Sequence, residues 1–504
     1  EAGVERVKKI LIANRGEIAR RVIAAARELG YATVAIHSDP DAQALHVREA
    51  DEAFALPGSE VKETYLDSEK ILAIAKLAGV WAIHPGYGFL SENAPFAEDC
   101  AKAGIKFIGP TPDTMRRLGS KVASKELAKK AKVPVVPGYE GDLPEGEALK
   151  KLAAKIGYPL LIKAAAGGGG KGMRVVQGPE EIESAARSAE RAALAFFKDK
   201  TVFLEKYLQR PRHIEVQILG DEQGNLVHLY ERECSIQRRH QKMIEESPSP
   251  SIDEKFRKEI CAAALRIAKQ ADYASAGTVE FIVDEENNFY FLEVNTRLQV
   301  EHPVTELVTG IDLVKAQILI AEGHKLPFKQ DQIVQRGHAI ECRLYAEDPE
   351  NQFLPAEGVV GVLHEPSRPG LRIDSSLEQG KPILSLYDPM LAKLIAYGFN
   401  RKEALAKMDA LLRDYILLGT RHNLDFLRFT LNSKPFVDGH YHTHSVAELL
   451  EIYLEKRGRN QPPPDLAFAI AVLAGKAAKS TGAGTQAPSA GADFSWLNGF
   501  RNAR

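Results

Sequence analysis

Short apolar runs alternate with amphipathic stretches through the first hundred residues. Val7-Lys-Lys-Ile-Leu-Ile-Ala13 and Tyr31-Ala-Thr-Val-Ala-Ile36 predict strands, and the segment from Ile18 to Leu29 between them predicts a helix. Val80-Trp-Ala-Ile83 and Lys106-Phe-Ile108 predict further strands, each running into a Gly- or Pro-rich turn, His84-Pro-Gly-Tyr-Gly88 and Gly109-Pro110. Strand, helix and strand in that order make a βαβ unit and hence a parallel sheet. The first turn, Asn14-Arg15-Gly16-Glu17, holds one glycine where a dinucleotide fingerprint needs three, so NAD binding is not expected despite Asp39.

Further on, a helix through Ser120 to Lys130 stops before Val133-Pro-Val-Val-Pro-Gly138, a proline-marked boundary. Tyr158-Pro-Leu-Leu-Ile-Lys163-Ala-Ala-Ala166 and Met173-Arg-Val-Val176 then predict strands on either side of a glycine loop, and Glu180 to Phe196 predicts a helix. Thr201 to Leu208 is a short apolar run ending at Arg210-Pro211. The pattern is mixed α/β and α+β. It divides the chain into an N-terminal α/β domain over 1–115, a helical linker and lid over 116–207, an α+β region over 208–457 and an Ala/Gly/Pro-rich tail over 458–504. Within the tail a short Ala-rich helix is expected from Leu466 to Lys479.

One segment concentrates chemistry. Asn288-Phe-Tyr-Phe-Leu292 leads, extended, into Glu293-Val-Asn295-Thr-Arg297-Leu-Gln299-Val-Glu301-His302. Period-two alternation sends Glu293, Asn295 and Arg297 to one side, where hard oxygen ligands and a planar anion-binding fork share a face. That combination suits Mg²⁺ with a phosphorylated ligand and a small planar anion beside it. The strand Ala276 to Val283 precedes it across the turn-like Asp284-Glu-Glu-Asn287, making Glu280 and Glu293 expected neighbours in a hairpin. An exposed edge strand with solvated charges is the plainer alternative, and the regular interleaving of apolar residues argues against it.

Other stretches are less specific. Gly167-Gly-Gly-Gly-Lys171-Gly172 is not a Walker loop, since Gly172 stands where Ser or Thr is needed and a strand follows; it predicts a mobile hairpin lid over phosphates, with Lys163 as a fixed cation. Glu231-Arg-Glu-Cys-Ser-Ile-Gln237-Arg238-Arg239-His240-Gln241-Lys242 is either a solvated charge run or a loop presenting Gln237, His240 and Lys242 to a polyanion. On the expected strand His338 to Arg343, Arg343 either pairs with a carboxylate or faces a developing oxyanion, and the residues alone leave these even. His440-Tyr-His442-Thr-His444 has no Cys or carboxylate to complete a metal set.

Bulk properties narrow the class. A length of 504 residues allows several domains, and a net charge of −2 gives no footprint for nucleic acid or anionic membrane. Four dispersed cysteines without C-x-x-C point to neither a disulfide framework nor a zinc knuckle. With no apolar run of membrane-spanning length and no signal-peptide pattern, a cytoplasmic protein is expected, or a mitochondrial-matrix one in a eukaryote.

With these pieces in order, the chain resembles the biotin carboxylase component of biotin-dependent acyl-CoA carboxylases, in the ATP-grasp superfamily, from about Val7 to Leu454. The resemblance rests on Ile12-Ala-Asn-Arg-Gly-Glu-Ile-Ala19, His84-Pro-Gly-Tyr-Gly-Phe-Leu-Ser-Glu-Asn93, Lys163 to Met173, Cys234 to Lys242 and Asn295 to His302. It implies an ATP-grasp fold behind an N-terminal parallel-sheet domain, with a mobile lid and a C-terminal α+β domain. The implied reaction converts MgATP, bicarbonate and biotin into carboxybiotin, ADP and phosphate, with Mn²⁺ as an alternative metal. Carried over by motif, Lys121, Lys163, Gly169, Gly170, His213, Gln237 and His240 contact ATP, and Glu205, Lys206, Tyr207 and Leu208 read adenine. Glu280, Glu293 and Asn295 form the metal end, while Lys242, Arg297, Gln299 and the Val300 backbone hold bicarbonate. Glu301 becomes the general base, Arg343 stabilises the biotin oxyanion, and Tyr87 lines the biotin pocket. Implied partners are a biotin carboxyl carrier protein or domain, a carboxyltransferase subunit and a second copy of the chain; no Ala-Met-Lys-Met occurs, so either the sequence is truncated before a biotinyl domain or the carrier is a separate protein acting in trans. Neither nucleic acid nor membrane is expected as a partner. Another ATP-grasp carboxylate–amine ligase and an inactive nucleotide-binding subunit are the rival readings.

Overall fold

The computed structural model describes residues 7–139, 141, 143–164, 174–197 and 201–459. Strands β1 (Lys9–Ile12), β2 (Ala32–His37), β3 (Glu52–Ala55), β4 (Ala82–His84) and β5 (Lys106–Phe107) form the expected parallel sheet in the order β3-β2-β1-β4-β5. Helix α1 (Gly16–Glu28) buries Ile18, Ala19, Val22 and Ile23, the stripe that a 3.6-residue period lays on one side. Strand order reverses at the β1–β4 seam, the place where open α/β sheets offer a crevice. There the Asn14 amide donates to the carbonyls of Pro85 at 2.7 Å and Tyr87 at 2.8 Å, tying the turn after β1 to the turn after β4. Gly86 makes this possible: its φ is +63°, and a Cβ would stand 3.0 Å from side-chain atoms of Asn14 and Ile18.

Helix α2 (Lys121–Lys130), whose N-terminus is capped by the Ser120 hydroxyl, leads to a smaller antiparallel sheet. Its strands β6 (Gly138–Tyr139), β7 (Leu160–Ala164), β8 (Arg174–Val176) and β9 (Val202–Lys206) lie in the order β6-β9-β7-β8. Helices α3 (Gly146–Ile156) and α4 (Ile182–Phe197) cover it, with Leu149, Leu160, Ile162, Val176, Ile182 and Leu204 in its core. The glycine loop, Gly169 and Gly170 included, lies outside the described residues, as do the expected Ala-rich helix and the rest of the tail.

Among the described residues, six short strands pair off into three two-stranded sheets, and eight others build one antiparallel sheet. The eight are β10 (Arg212–Gly220), β11 (Leu226–Arg238), β12 (Gln241–Ser247), β13 (Ser275–Val283), β14 (Phe289–Asn295), β15 (His338–Tyr345), β16 (Leu371–Ser375) and β17 (Met390–Gly398), ordered β14-β13-β10-β11-β12-β15-β17-β16. Helix α5 (Glu254–Gln270) packs Ile260, Cys261, Ala264 and Ile267 against Ile214, Val216, Val279 and Phe281 of β10 and β13. Helix α6 (His302–Thr309) follows β14. Helices α7 (Arg401–Asp414), α8 (Leu424–Leu431) and α9 (Ser445–Arg459) complete the fold, with Met408, Leu411 and Phe426 joining Ile340, Leu344 and Leu394 in the largest core. Among the described residues no helix is long and apolar enough to cross a membrane.

Two expectations need correction. The charged run Glu231 to Lys242 is neither a loop nor a solvated face: it is the β11–β12 hairpin, with Glu231 through Gln237 buried. Its polar residues sit inside because the sheet supplies them with partners. Arg297 does not extend the β14 alternation, because β14 ends at Asn295.

Candidate active site

Strand register aligns acids that distant sequence positions conceal. Glu215 of β10 lies opposite Glu280 of β13, and Glu280 lies opposite Glu293 of β14. The second pairing depends on a bulge: Phe281 faces Phe291 while Glu280 faces Glu293, so Leu292 is the extra residue. Three carboxylates abreast repel one another and need a cation. Lys242 of β12 supplies a cation to two of the three, donating from Nζ to Glu215 at 2.5 Å and Glu280 at 2.8 Å, and it also reaches Glu301 at 2.6 Å. Burial opposes the ammonium, but Glu215, Glu280 and Glu301 together outweigh it and raise the Lys242 pKa well above the ordinary lysine value. Arg232, fully buried, donates to Glu215 at 2.6 Å and to Thr305 at 3.0 Å, bracing the row from below. His213 approaches Glu280 at 3.0 Å, and the Gln237 amide lies 3.3 Å from the other ring nitrogen.

Past β14 the chain turns back over this row. Arg297 donates to Asn295 Oδ1 at 3.1 Å and Gln299 Oε1 at 3.0 Å, and its Nε donates to Glu92 at 3.0 Å. Asn295 and Gln299 in turn donate their amide N–H groups to Glu280, at 2.8 Å and 3.0 Å. Arg297 therefore reaches the face expected of it by folding back rather than by strand alternation. Glu301, fully buried, stands between two cations, Lys242 and Arg343, the latter donating from Nη2 at 2.9 Å. Burial opposes its charge, yet Lys242, Arg343 and Arg232 hold it well below the usual carboxylate range. Arg343 also lies 2.6 Å from Glu245. Val300, between Gln299 and Glu301, accepts through its carbonyl from Lys393 at 3.0 Å, and Lys393 Nζ stands 5.7 Å from the centre of the Tyr87 ring.

The remaining expected nucleotide contacts belong to other elements. Lys163 of β7 forms an ion pair with Glu205 of β9, which also lies 3.6 Å from Lys125. The backbone N–H groups of Lys206 and Tyr207 donate to Pro137 at 2.8 Å and Pro159 at 2.9 Å, so they do not face a base edge in this conformation. Leu208 follows directly. Lys121 is exposed at the first position of α2, and His240 is exposed at the hairpin tip, where Arg239 and His240 take φ of +49° and +69° in a tight two-residue turn.

Several residues of the site carried no signal of their own. Glu92 sits in the quoted motif after His84, but its contact with Arg297 and with the Thr296 N–H, at 2.9 Å, spans two domains. Glu215 is two positions from His213, a same-face spacing that could have flagged it. Arg232 reads as one cation in a charged run.

The donor set fits a divalent cation. Glu293 faces Glu280 and forms no ion pair among the described residues; desolvation, then the charge of Glu280, pushes its carboxyl above the usual value. A hard divalent ion relieves that repulsion. Asn295 turns its oxygen toward Arg297 and its amide N–H toward Glu280, so here it joins the acidic end to the guanidinium end.

A parallel-sheet unit, a small antiparallel sheet and a large sheet bearing paired acids on adjacent strands define an ATP-grasp protein. Three family models match consecutively: the N-terminal domain of biotin carboxylase over residues 6–115, the ATP-binding domain of the carbamoyl-phosphate synthase L chain over 120–329, and the C-terminal domain of biotin carboxylase over 341–448. Biotin carboxylase from Halalkalibacterium halodurans is 49% identical over 453 residues, covering 90% of this chain and 99% of that one. The mitochondrial methylcrotonoyl-CoA carboxylase α-subunit of Rattus norvegicus is 48% identical over 443 residues, 88% of this chain, and the chain spans only 62% of that relative's length. The biotin carboxylase domain dimer of Hydrogenobacter thermophilus 2-oxoglutarate carboxylase, solved with MgADP, ADP and bicarbonate, is similar at a TM-score of 0.80 and 44% identity, covering 88% of this chain and 98% of that one. The chain belongs to the biotin carboxylase family.

Proposed function

We propose that this chain carboxylates biotin with ATP and bicarbonate, as the first half-reaction of an acyl-CoA carboxylase. The observation that carries the reading is Glu301 held between Lys242 and Arg343 beside the Glu280–Glu293 pair. Glu280 and Glu293 are the residues to hold Mg²⁺. When bound, the ion neutralises charge on the β- and γ-phosphates.

The chain's own groups supply the rest. Lys242, Arg297, Gln299 and the Val300 backbone fix bicarbonate beside the γ-phosphate, converting a poor nucleophile into a positioned one. Glu301 removes its proton as the bicarbonate oxygen attacks the γ-phosphorus, and ADP departs. Clamped by two cations, Glu301 is a weak base; an anion that draws Lys242 onto itself restores its basicity, which makes proton removal conditional on bicarbonate being in place. Carboxyphosphate then gives CO₂ and phosphate, phosphate takes the ureido proton, and the nitrogen attacks CO₂. Arg343 stabilises the ureido oxyanion and Tyr87 walls the pocket. ATP is held by Lys121, Lys163, Gly169, Gly170, His213, Gln237 and His240, with the segment Glu205 to Leu208 at adenine.

Residues 1–115, 116–207 and 208–457 act as sheet domain, linker with lid, and core with C-terminal region, with 458–504 as the tail. A biotin carboxyl carrier protein or domain, a carboxyltransferase subunit and a second copy of the chain are the proposed partners, in the cytoplasm or mitochondrial matrix. The rival ligase reading has no use for an arginine, two amides and a carboxylate arranged around a small anion. The test is ATP cleavage that requires bicarbonate and accelerates with free biotin. Glu301→Gln should lower it by about 10²- to 10⁴-fold, leaving MgATP affinity within about twofold. Undiminished turnover in Glu301→Gln and in Arg343→Ala would sink this mechanism and favour an inactive subunit or a different ligase.

A further inference from the structure

Lys393, on β17, closes the segment Tyr387-Asp-Pro-Met-Leu-Ala-Lys393 and has no part in the chemistry above. Its side chain is 0% exposed. An ammonium so deeply buried is costly unless acceptors and opposite charges meet it. Four elements do so. Glu17 of α1 lies 3.3 Å away, Asp374 of β16 3.5 Å, the Tyr87 ring centre 5.7 Å, and the Val300 carbonyl 3.0 Å. Glu17 meets the lysine chiefly as a charge partner, and the shorter, directed hydrogen bond goes to Val300. Lys393 also stands directly across from Arg343 in the β15–β17 register.

That bond falls at a sensitive place. The Val300 carbonyl belongs to the peptide whose nitrogen is that of Glu301, and Glu301 is the cap residue from which α6 starts. Holding this carbonyl sets the plane from which the Glu301 side chain departs toward Lys242 and Arg343. We propose that Lys393 is a positioning residue: by fixing the Val300–Glu301 peptide it places the bicarbonate-binding turn and the general base, while its charge anchors the same turn to α1 and the Tyr87 loop. The inference rests on the proposed bicarbonate role of Val300 and Glu301.

Lys393→Met keeps the apolar stem and removes the donor. The expected result is a rise in KM for bicarbonate of about 10- to 100-fold, with KM for ATP within about twofold. Glu17→Gln, which removes a charge partner and leaves the Val300 bond, should move both constants by less than about threefold. Equal shifts in both constants for Lys393→Met, no shift in either, or a bicarbonate effect as large in Glu17→Gln would overturn the proposal. Should Lys393→Met fail to fold, Lys393→Arg keeps the charge but displaces the donor and must show the same selective rise. Wild-type protein without bicarbonate-dependent ATP cleavage would sink the functional reading instead, before any variant is compared.

Discussion

The two sheets treat their cations differently. On the large sheet, Lys242 contacts three carboxylates from three strands or turns, with only 11% of its side chain exposed. On the smaller sheet, Lys163 meets chiefly Glu205, with 35% and 17% of their side chains exposed. A many-sided buried contact is set by strand register and keeps its remaining partners when one is released. A part-exposed pair is weak and exchangeable, so an arriving phosphate can take Lys163 from Glu205 at little cost. On the proposed function, the anion-activating centre would thus be assembled before substrate arrives, and the phosphate contacts of the smaller sheet would assemble around it.

Lys242→Met tests the first half of this contrast and carries the largest expected effect. It leaves Glu215, Glu280 and Glu301 without their shared cation, so unfolding stability should fall by about 3–5 kcal/mol and bicarbonate-dependent ATP cleavage should vanish. Chemical denaturation measures the first. A loss below about 1 kcal/mol would mean that the carboxylates are neutralised some other way and that the centre is not pre-assembled. Lys163→Met tests the second half and should be milder. KM for ATP should rise about tenfold while stability stays within about 0.5 kcal/mol and KM for bicarbonate is unchanged. If instead the stability losses of the two variants match, the distinction between the sheets fails.

The same contrast explains what could be read from the chain alone. The βαβ unit, the Glu280–Glu293 hairpin and the Lys163 strand follow from local periodicity, and each stands within a residue or two of its expected place. What periodicity could not supply was the pairing of strands far apart in sequence: Glu215 beside Glu280 across β10 and β13, and Lys242 reaching both from β12. The run Glu231 to Lys242 shows the cost of this. Its charges look solvated because the acids that neutralise them lie elsewhere, and only the assembled sheet turns a polar segment inward. The bulge at Leu292 is another case, since a one-residue insertion resets which residues face Glu280 and leaves no mark in composition.

Glu92 offers the smallest and most selective perturbation, because it belongs to neither sheet. It reaches from the turn after β4 to accept from the Thr296 N–H at 2.9 Å and from Arg297 Nε at 3.0 Å, so the N-terminal domain orients the guanidinium of the large-sheet site. Asn295 and Gln299 hold the other end of the same group. Glu92→Gln keeps an acceptor for Thr296 and removes the negative charge that faces Arg297, whose side chain is 20% exposed and therefore partly screened. The expected result is a threefold to tenfold rise in KM for bicarbonate, about 0.7–1.4 kcal/mol, with ATP binding and stability unchanged. A rise in KM for ATP of the same size would show that Glu92 couples the domains rather than aiming one side chain. No change at all would assign Arg297 wholly to Asn295 and Gln299, and the pre-assembled centre would then be a property of the large sheet alone.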